Sequence, residues 1–218
     1  MKNITNKGEI TKRRIIHAAK HEFYENGYTQ ATMKNITQRL KYKPSLITYY
    51  FKTKDNLVTA IYKDLFTRIN KRVEDSIPNI PNRLLFHYVR IRIAYNLFMF
   101  DDPTKRFFYE ITEKNINYIV NGEQVKQFYL EIIDDFSLIA VEQTLQIMQK
   151  YESAGRRDFF MDYINGEYPG MTIDEALNFF ERITPIAFNI DADFVDSMLL
   201  KSISLSKSID ISDIRFLV

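Results

Sequence analysis

The sequence contains no cysteine, and this absence excludes several kinds of chemistry. Without thiols the chain has no disulfide framework, no thiolate metal site and no cysteine nucleophile. A chain of this composition fits a reducing compartment, and no secretory signal peptide is visible at its N-terminus. We therefore predict a cytoplasmic protein.

Glycine and proline are scarce, with six of each among 218 residues. Both residues interrupt regular elements, so their scarcity favours long helices. Hydrophobic residues make up 45% of the chain, which is enough to fill a sizeable core. The longest apolar run, 84–100, is interrupted by His87, Arg90 and Arg92, and we do not expect it to cross a membrane. We predict an all-α protein without membrane contact.

Residue types typical of catalytic and metal sites are also few. The chain has three histidines, and His17 and His21 stand four apart on one helical face, a spacing that allows metal binding. They lie opposite the apolar stripe and have no third ligand nearby, so we expect solvent-facing side chains. No nucleophile elbow, glycine-rich phosphate loop or cluster of metal ligands is present. We predict no metal, no cofactor and no enzymatic activity.

The charges divide the chain into a basic first part and an acidic remainder. Residues 1–75 contain 16 Lys and Arg against 7 Asp and Glu, whereas the rest contains 14 basic and 21 acidic residues. A basic lobe attracts phosphates and releases counterions when it binds nucleic acid. The alternative is that both parts are only solvated faces without a partner.

Two short helical patterns joined by a tight turn lie within the basic part. Thr32 is a suitable N-cap for the first helix, and Pro44 suits the first turn of the second, which we expect over 44–51. In the second helix Ile47 and Phe51 face inward, which leaves hydroxyls and an aromatic ring on the outward side. Such a helix beside several lysines has the chemistry of a DNA reader.

These helices and the segment before them carry a family pattern. Its positions are Ile15, Ile16, Ala18, Ala19, Phe23, Asn26, Gly27, Tyr28, Ala31, Thr32, Ile36, the run 44–51, Lys54 and Leu57. Over residues 10–60 the chain resembles the N-terminal domain of TetR/AcrR-type transcriptional regulators. It departs from the family at Lys41, where a turn glycine is usual, and at Thr48, where a tyrosine is usual. The first departure predicts strain, because non-glycine residues rarely adopt positive φ.

The resemblance implies a homodimer that binds double-stranded operator DNA with one recognition helix per half-site. Outward side chains of that helix would meet base edges, and the residues around it would bind phosphates. The candidate DNA-binding residues are Thr32, Lys34, Lys43, Pro44, Ser45, Leu46, Thr48, Tyr49, Tyr50, Thr53 and Lys54.

Periodicity and loop residues predict the organisation of the chain. We expect an irregular arm over 1–9 and a first helix over 11–26 that ends at Gly27. Two prolines at 78 and 81 mark a boundary after a long fourth helix. The expected regions are residues 1–52 with the arm and the helix-turn-helix DNA-binding domain, residues 53–76 with a connecting helix, and residues 82–218 with a larger C-terminal helical bundle for ligand binding and dimerisation.

Aromatic residues are concentrated between residues 86 and 136, and most of them are expected to be core. The family resemblance implies, in addition, a cavity among the middle helices for a small, largely apolar or aromatic effector. The acidic excess of this part of the chain slightly favours a cationic one. The candidate ligand-binding residues are Tyr95, Asn96, Phe98, Phe108, Tyr118, Tyr129 and Phe136.

The last two helical patterns each carry an apolar stripe with small residues, which allows close packing of partner helices. In the family such a pair meets its twofold copy as a four-helix bundle, and the alternative is that the pair caps the subunit's own core. The candidate dimer residues are Phe180, Ile183, Phe194, Met198, Leu199 and Ile203.

We therefore predict a ligand-responsive transcriptional regulator, a homodimeric repressor that a small molecule releases from its operator. The alternative is a DNA-anchored interaction module whose C-terminal domain binds a protein partner and no metabolite. A cavity in the C-terminal domain favours the first hypothesis, and a solid aromatic core favours the second.

Overall fold

The computed structural model describes the backbone of residues 2–139 and 141–218 and the side chains of residues 7–116, 122, 124–139 and 141–218. Within these ranges the chain is all-helical without strands, which confirms the predicted fold class. None of the described helices combines the length and apolar character needed to cross a bilayer. The helices are α1 Lys2–Gln30, α2 Met33–Leu40, α3 Pro44–Phe51, α4 Lys54–Ser76, α5 Arg83–Phe98, α6 Asp102–Glu113, α7 Ile116–Asp135, α8 Glu142–Ile164, α9 Ile173–Ala187 and α10 Ala192–Ser208.

Helix α1 begins earlier than predicted. The irregular arm expected over residues 1–9 is helical from Lys2, so that prediction is wrong. Local side-chain bonds support the added turns: Thr11 Oγ1 donates to the Lys7 carbonyl at 2.9 Å, and Lys12 forms an ion pair with Glu9 at 2.8 Å. Pairs spaced by three or four residues stabilise a helix without an apolar stripe, and hydrophobic periodicity therefore gave no signal here.

Helix α4 is the central element of the fold. Its inward residues Leu57, Ile61, Leu65, Ile69 and Val73 are fully buried. They belong to one hydrophobic core that includes residues of α1 to α3 and residues of α5 and α6. The N-terminal helices and the C-terminal bundle therefore share a continuous core across α4. A second, smaller cluster lies between α5, α7, α8 and α10.

The segment after α10 packs back against α4. Phe216 is buried with its ring 4.9 Å from that of Tyr62, and Ile214 and Leu217 are buried beside it. At the surface Arg72 of α4 forms an ion pair with Asp213 at 2.8 Å. Hydrophobic periodicity did not reveal this segment, because it is too short and irregular to form a helical stripe.

Candidate DNA-binding surface and ligand cavity

Helices α2 and α3 form the predicted helix-turn-helix. The side chain of Thr32 caps α2 by accepting a hydrogen bond from the Asn35 N–H at 3.1 Å, and Ile36 is buried. Lys41 takes up the left-handed conformation, with φ 55 and ψ 31, and its N–H donates to the Gln38 carbonyl. Lysine therefore occupies the left-handed backbone geometry that favours glycine, and the turn keeps this geometry without one. Pro44 follows at the start of α3.

Helix α3 presents one face to the core and one to solvent. Ile47 and Phe51 are buried, as predicted from their spacing. Ser45, Thr48 and Tyr49 are exposed, and Tyr49 is 78% exposed despite its large aromatic ring. An exposed helix with hydroxyls and an aromatic ring has the shape and the side chains needed to enter a major groove.

A sharp turn joins α3 to α4. Lys52 has φ 58 and ψ −55, and the Thr53 N–H donates to the Phe51 carbonyl at 2.6 Å. This pattern is a γ-turn of the rare strained kind. Thr53 then caps α4 by accepting from the Asn56 N–H at 3.2 Å. Since only two residues separate the helices, the direction of α3 is closely tied to that of α4.

Most of the candidate DNA-binding residues are exposed on this unit. Thr32, Lys34, Lys43, Pro44, Ser45, Thr48, Tyr49 and Thr53 are exposed, and Leu46 and Tyr50 are half-buried.

Lys54 is the exception among these candidates. Its Nζ donates to the carbonyl oxygens of Tyr28 at 2.7 Å and Ala31 at 2.9 Å, and it lies 4.0 Å from the centre of the Tyr28 ring. Burial lowers the pKa of Lys54. The prediction that Lys54 faces a phosphate is wrong, because its ammonium group satisfies carbonyls at the carboxyl end of α1.

A buried carboxylate ties α1 to the helix-turn-helix, and sequence reasoning missed it. Glu22 accepts hydrogen bonds from Arg39 Nε at 2.8 Å and from Asn35 Nδ2 at 3.1 Å. Arg39 also pairs with Glu25. Nothing local in the sequence distinguishes Glu22 from a solvated residue of α1.

A cavity of about 140 Å³ lies between α4, α5, α6, α7 and α8. Aromatic rings form much of its wall, among them Phe66, Tyr95, Phe98, Phe108, Phe128 and Phe160. An engineered protein cavity of about 150 Å³ holds benzene, so this one has room for a single aromatic ring.

The structure brings only part of the candidate ligand set to this cavity. Tyr95, Phe98 and Phe108 line it. Asn96 is exposed and does not line the cavity, and Phe136 packs against Phe194, so the prediction is wrong for both. The ring of Tyr129 is buried in the second cluster and does not line the cavity either. Tyr118 lies outside the described side chains.

Charged residues form the rest of the cavity wall, and sequence reasoning missed them. Arg156 donates to Glu181 at 2.8 Å and to Glu152. The second oxygen of Glu152 accepts from the Tyr129 hydroxyl at 2.5 Å and from Thr184 Oγ1 at 2.8 Å. Each oxygen of the two carboxylates therefore already accepts at least one hydrogen bond.

His87 extends this network towards Arg90. Its Nε2 lies 2.9 Å from Glu181, and its Nδ1 lies 3.1 Å from Arg90 Nη2. Because arginine can only donate, Nδ1 accepts and the imidazole proton is on Nε2. Burial lowers the pKa of His87, which agrees with a neutral ring. Burial would raise the pKa of Glu181, but Arg156 and His87 outweigh it and hold this pKa well below its usual range.

The two dimer-candidate helices differ in part from the prediction. Phe180 and Leu199 are buried in the subunit's own core, so they are not available as surface contacts and the prediction is wrong for them. Ile183, Phe194, Met198 and Ile203 are half-buried. The adjacent residues Phe179 and Leu200 are 64% and 66% exposed. Each helix carries a large apolar side chain outside its buried stripe, and periodicity alone could not tell the inner face from the outer one.

Comparison with known proteins supports the helix-turn-helix assignment. Residues 15–61 match the family model described as "Bacterial regulatory proteins, tetR family". The HTH-type transcriptional regulator UidR of Escherichia coli strain K12 is 31% identical over 80 residues, which are 37% of this chain and 41% of UidR. UidR of Shigella flexneri matches with the same values. The chain thus spans less than half the length of these relatives.

A solved structure resembles nearly the whole chain. The crystal structure of RolR in complex with its ligand resorcinol superposes with a TM-score of 0.59 over 89% of this chain and 95% of RolR. The two sequences are 14% identical. At this level of identity the similarity shows a shared fold.

Proposed function

Because the chain carries the DNA-binding domain of the tetR family of bacterial regulatory proteins, we propose that it is a homodimeric repressor released from operator DNA by a small aromatic molecule. Regulators of this family bind DNA and are not enzymes, in line with the absence of a catalytic motif from the sequence. The observation that carries the proposal is the exposed outer face of α3 on the basic part of the chain.

In the proposed complex α3 of each subunit lies in the major groove. Ser45, Thr48 and Tyr49 contact base edges and thymine methyl groups, which provides sequence specificity. Phosphates are bound around the helix and provide affinity. The phosphate-binding residues are Thr32, Lys34, Lys43, Tyr50 and Thr53.

The proposed dimer pairs the outer faces of α9 and α10 around a twofold axis. Phe179, Ile183, Leu200 and Ile203 contribute the apolar side chains of this face. A twofold pair places two copies of α3 on the same side of the DNA, as required for half-sites about 34 Å apart. Large exposed apolar side chains that cluster on a surface are typical of an interface.

The proposed effector binds in the 140 Å³ cavity. Its volume suits one aromatic ring, and the similarity to RolR, whose solved complex contains the single-ring ligand resorcinol, supports the same size class. The existence of the cavity speaks against the alternative of a protein-interaction module, for which a solid core was expected.

The cavity contacts both helices that hold the DNA-binding unit. Tyr62 and Phe66 of α4 and Phe108 of α6 line it. Helix α6 is bonded to the end of α1, since Arg106 donates to the carbonyls of Tyr24 and Glu25 at 2.9 Å each. A ligand that shifts α4 or α6 therefore shifts α3. The response is allosteric if the ligand binds one spacing of the two recognition helices more tightly than the other.

A binding titration with matched tyrosine variants tests the proposal. Operator DNA is first selected from a random pool with the wild-type protein, and affinities are then measured at fixed salt. Tyr49→Ala should weaken binding about tenfold, since one base contact contributes roughly 1–3 kcal/mol. Tyr151→Ala, at a 64% exposed tyrosine of α8, is the control and should bind normally. Equal affinity of both variants and wild type would contradict the placement of α3 in the groove.

A further inference from the structure

Helix α5 carries two inward arginines that differ in their partners. Arg92 is buried and fully engaged: it donates to Ser202 Oγ at 2.7 Å, to Asp174 at 2.9 Å and to Asn178. These bonds join α5 to α9 and α10. Arg92 is thus a structural residue, and a buried guanidinium with this many partners needs no ligand.

Arg90, half a turn earlier on the helix, lines the cavity instead. One of its amino groups donates to the neutral His87 ring at 3.1 Å, and its Nε is buried without a hydrogen-bond partner. Among the described residues no carboxylate lies within ion-pair distance of it. The Phe66 ring lies with its centre 5.9 Å from the guanidinium carbon.

The charged group of the cavity wall that still lacks a hydrogen-bond partner is therefore a donor. Glu152 and Glu181 line the cavity, but their oxygens already accept from Arg156, His87, Tyr129 and Thr184. A cationic ligand finds no free carboxylate there. A ligand with acceptor oxygens finds the Arg90 guanidinium, whose buried Nε has no partner and is costly to leave unsatisfied.

We propose that the effector is a single-ring aromatic carboxylate whose carboxylate group pairs with Arg90. The ring occupies the space between the aromatic side chains, and the carboxylate faces the guanidinium, the group best matched to it in geometry and charge. This assignment rests on the proposed ligand-responsive function and adds the chemical class of the ligand. It also reverses the slight preference for a cation that the acidic composition indicated.

Three probes of one size and different charge test the assignment by calorimetric titration of the full chain: benzoate, its neutral isostere benzamide, and the cation benzylamine. Wild-type protein should bind benzoate at least tenfold more tightly than benzamide and should bind benzylamine most weakly. Benzoate should also release operator DNA at lower concentration than benzamide. This comparison needs no variant, so it does not depend on the folding of one.

Variants of two arginines on the same helix locate the effect. Arg90→Gln should lose at least tenfold in benzoate affinity and change less than threefold for benzamide, and Arg90→Lys should keep part of the preference for benzoate. Arg83→Gln, at an exposed arginine of α5 outside the cavity, should behave like wild type. Retained benzoate preference in a folded Arg90→Gln protein would overturn the role of Arg90.

The outcomes separate this inference from the function on which it rests. If benzamide binds as tightly as benzoate and releases the operator, the carboxylate is wrong while a single-ring effector stands. If none of the three rings binds at millimolar concentration although operator DNA is bound, the proposed effector site itself is overturned, and this inference with it.

Discussion

The Glu110 carboxylate on α6 accepts a hydrogen bond from the backbone N–H of Thr29 at 2.6 Å, across 81 positions of sequence. The same carboxylate fills the space beside Gly27, where an added Cβ would lie 2.6 Å from its Oε1 atom. Helix α6 of the ligand-binding bundle therefore contacts the end of α1 directly, just before the helix-turn-helix. This contact is one of the physical links between cavity and DNA-binding surface.

Gly27→Ala should lower the free energy of unfolding. Gly27 has φ 70 and ψ 179, a region almost confined to glycine, where a side chain costs about 1–3 kcal/mol before the clash with Glu110 is added. Gly155→Ala is the control, because this glycine lies inside α8 with its nearest foreign atom 3.9 Å from an added Cβ. It should stabilise by about 0.5–1 kcal/mol. Urea unfolding of both variants measures the two effects, and a neutral Gly27→Ala would contradict the geometry.

Lys54→Ala and Lys43→Ala should have different effects although both remove a lysine beside α3. Lys54 bonds the carbonyls of Tyr28 at the end of α1 and of Ala31 just after it, and its loss should cost about 1–2 kcal/mol of stability, allowing for partial exposure. Lys43 is exposed, so its loss should leave stability unchanged. It should reduce the slope of log affinity against log salt concentration by about 1, the value of one phosphate contact. Chemical denaturation and salt-dependent titration provide the two readouts. The same loss of stability in both variants would be inconsistent with this division.

Phe216→Ala should destabilise the protein strongly. The ring is buried against Tyr62, Phe98 and Phe107, with centroid distances of 4.9, 4.7 and 5.5 Å. Removing a buried phenylalanine ring costs about 3–5 kcal/mol. Phe100→Ala, at a 56% exposed ring, is the matched control and should cost less than about 1 kcal/mol. If thermal unfolding shows similar midpoints for both variants, the segment after α10 does not pack on α4 in solution.

His87→Gln should flatten the decrease in stability on mild acidification. Burial lowers the pKa of His87, so below the ordinary histidine value of 6.5 the unfolded chain binds a proton that the folded chain does not. The contribution of His87 to the free energy of unfolding is therefore fully present above pH 6.5. It is lost progressively as the pH falls from 6.5 through the lowered pKa of the folded state. Urea unfolding of wild type and variant between pH 7 and pH 5 measures the difference. Parallel curves for the two proteins would show that His87 binds its proton at the same pH in the folded and the unfolded chain, which contradicts a lowered folded pKa.

Two features of the DNA-binding unit could be read from short stretches of sequence. Ile47 and Phe51 stand four apart after Pro44, and this spacing alone predicts which side of α3 is buried. Thr32 can be recognised as an N-cap from the sequence, because the capping bond to the Asn35 N–H spans only three residues. Such interactions depend on neighbours in the chain, and sequence therefore determines them.

Contacts between distant residues were decided only by the tertiary structure. Lys54 turned to the end of α1 instead of to solvent, and Phe180 rather than Phe179 faced the core. His87 and Glu181 meet across 94 positions of sequence. Periodicity assigns a residue to a face of its own helix but does not say which helix that face meets. The sequence by itself thus determined the all-helical class, the helix-turn-helix and the outward face of α3, whereas the cavity, its charged wall and the position of the C-terminal segment depended on how the helices pack.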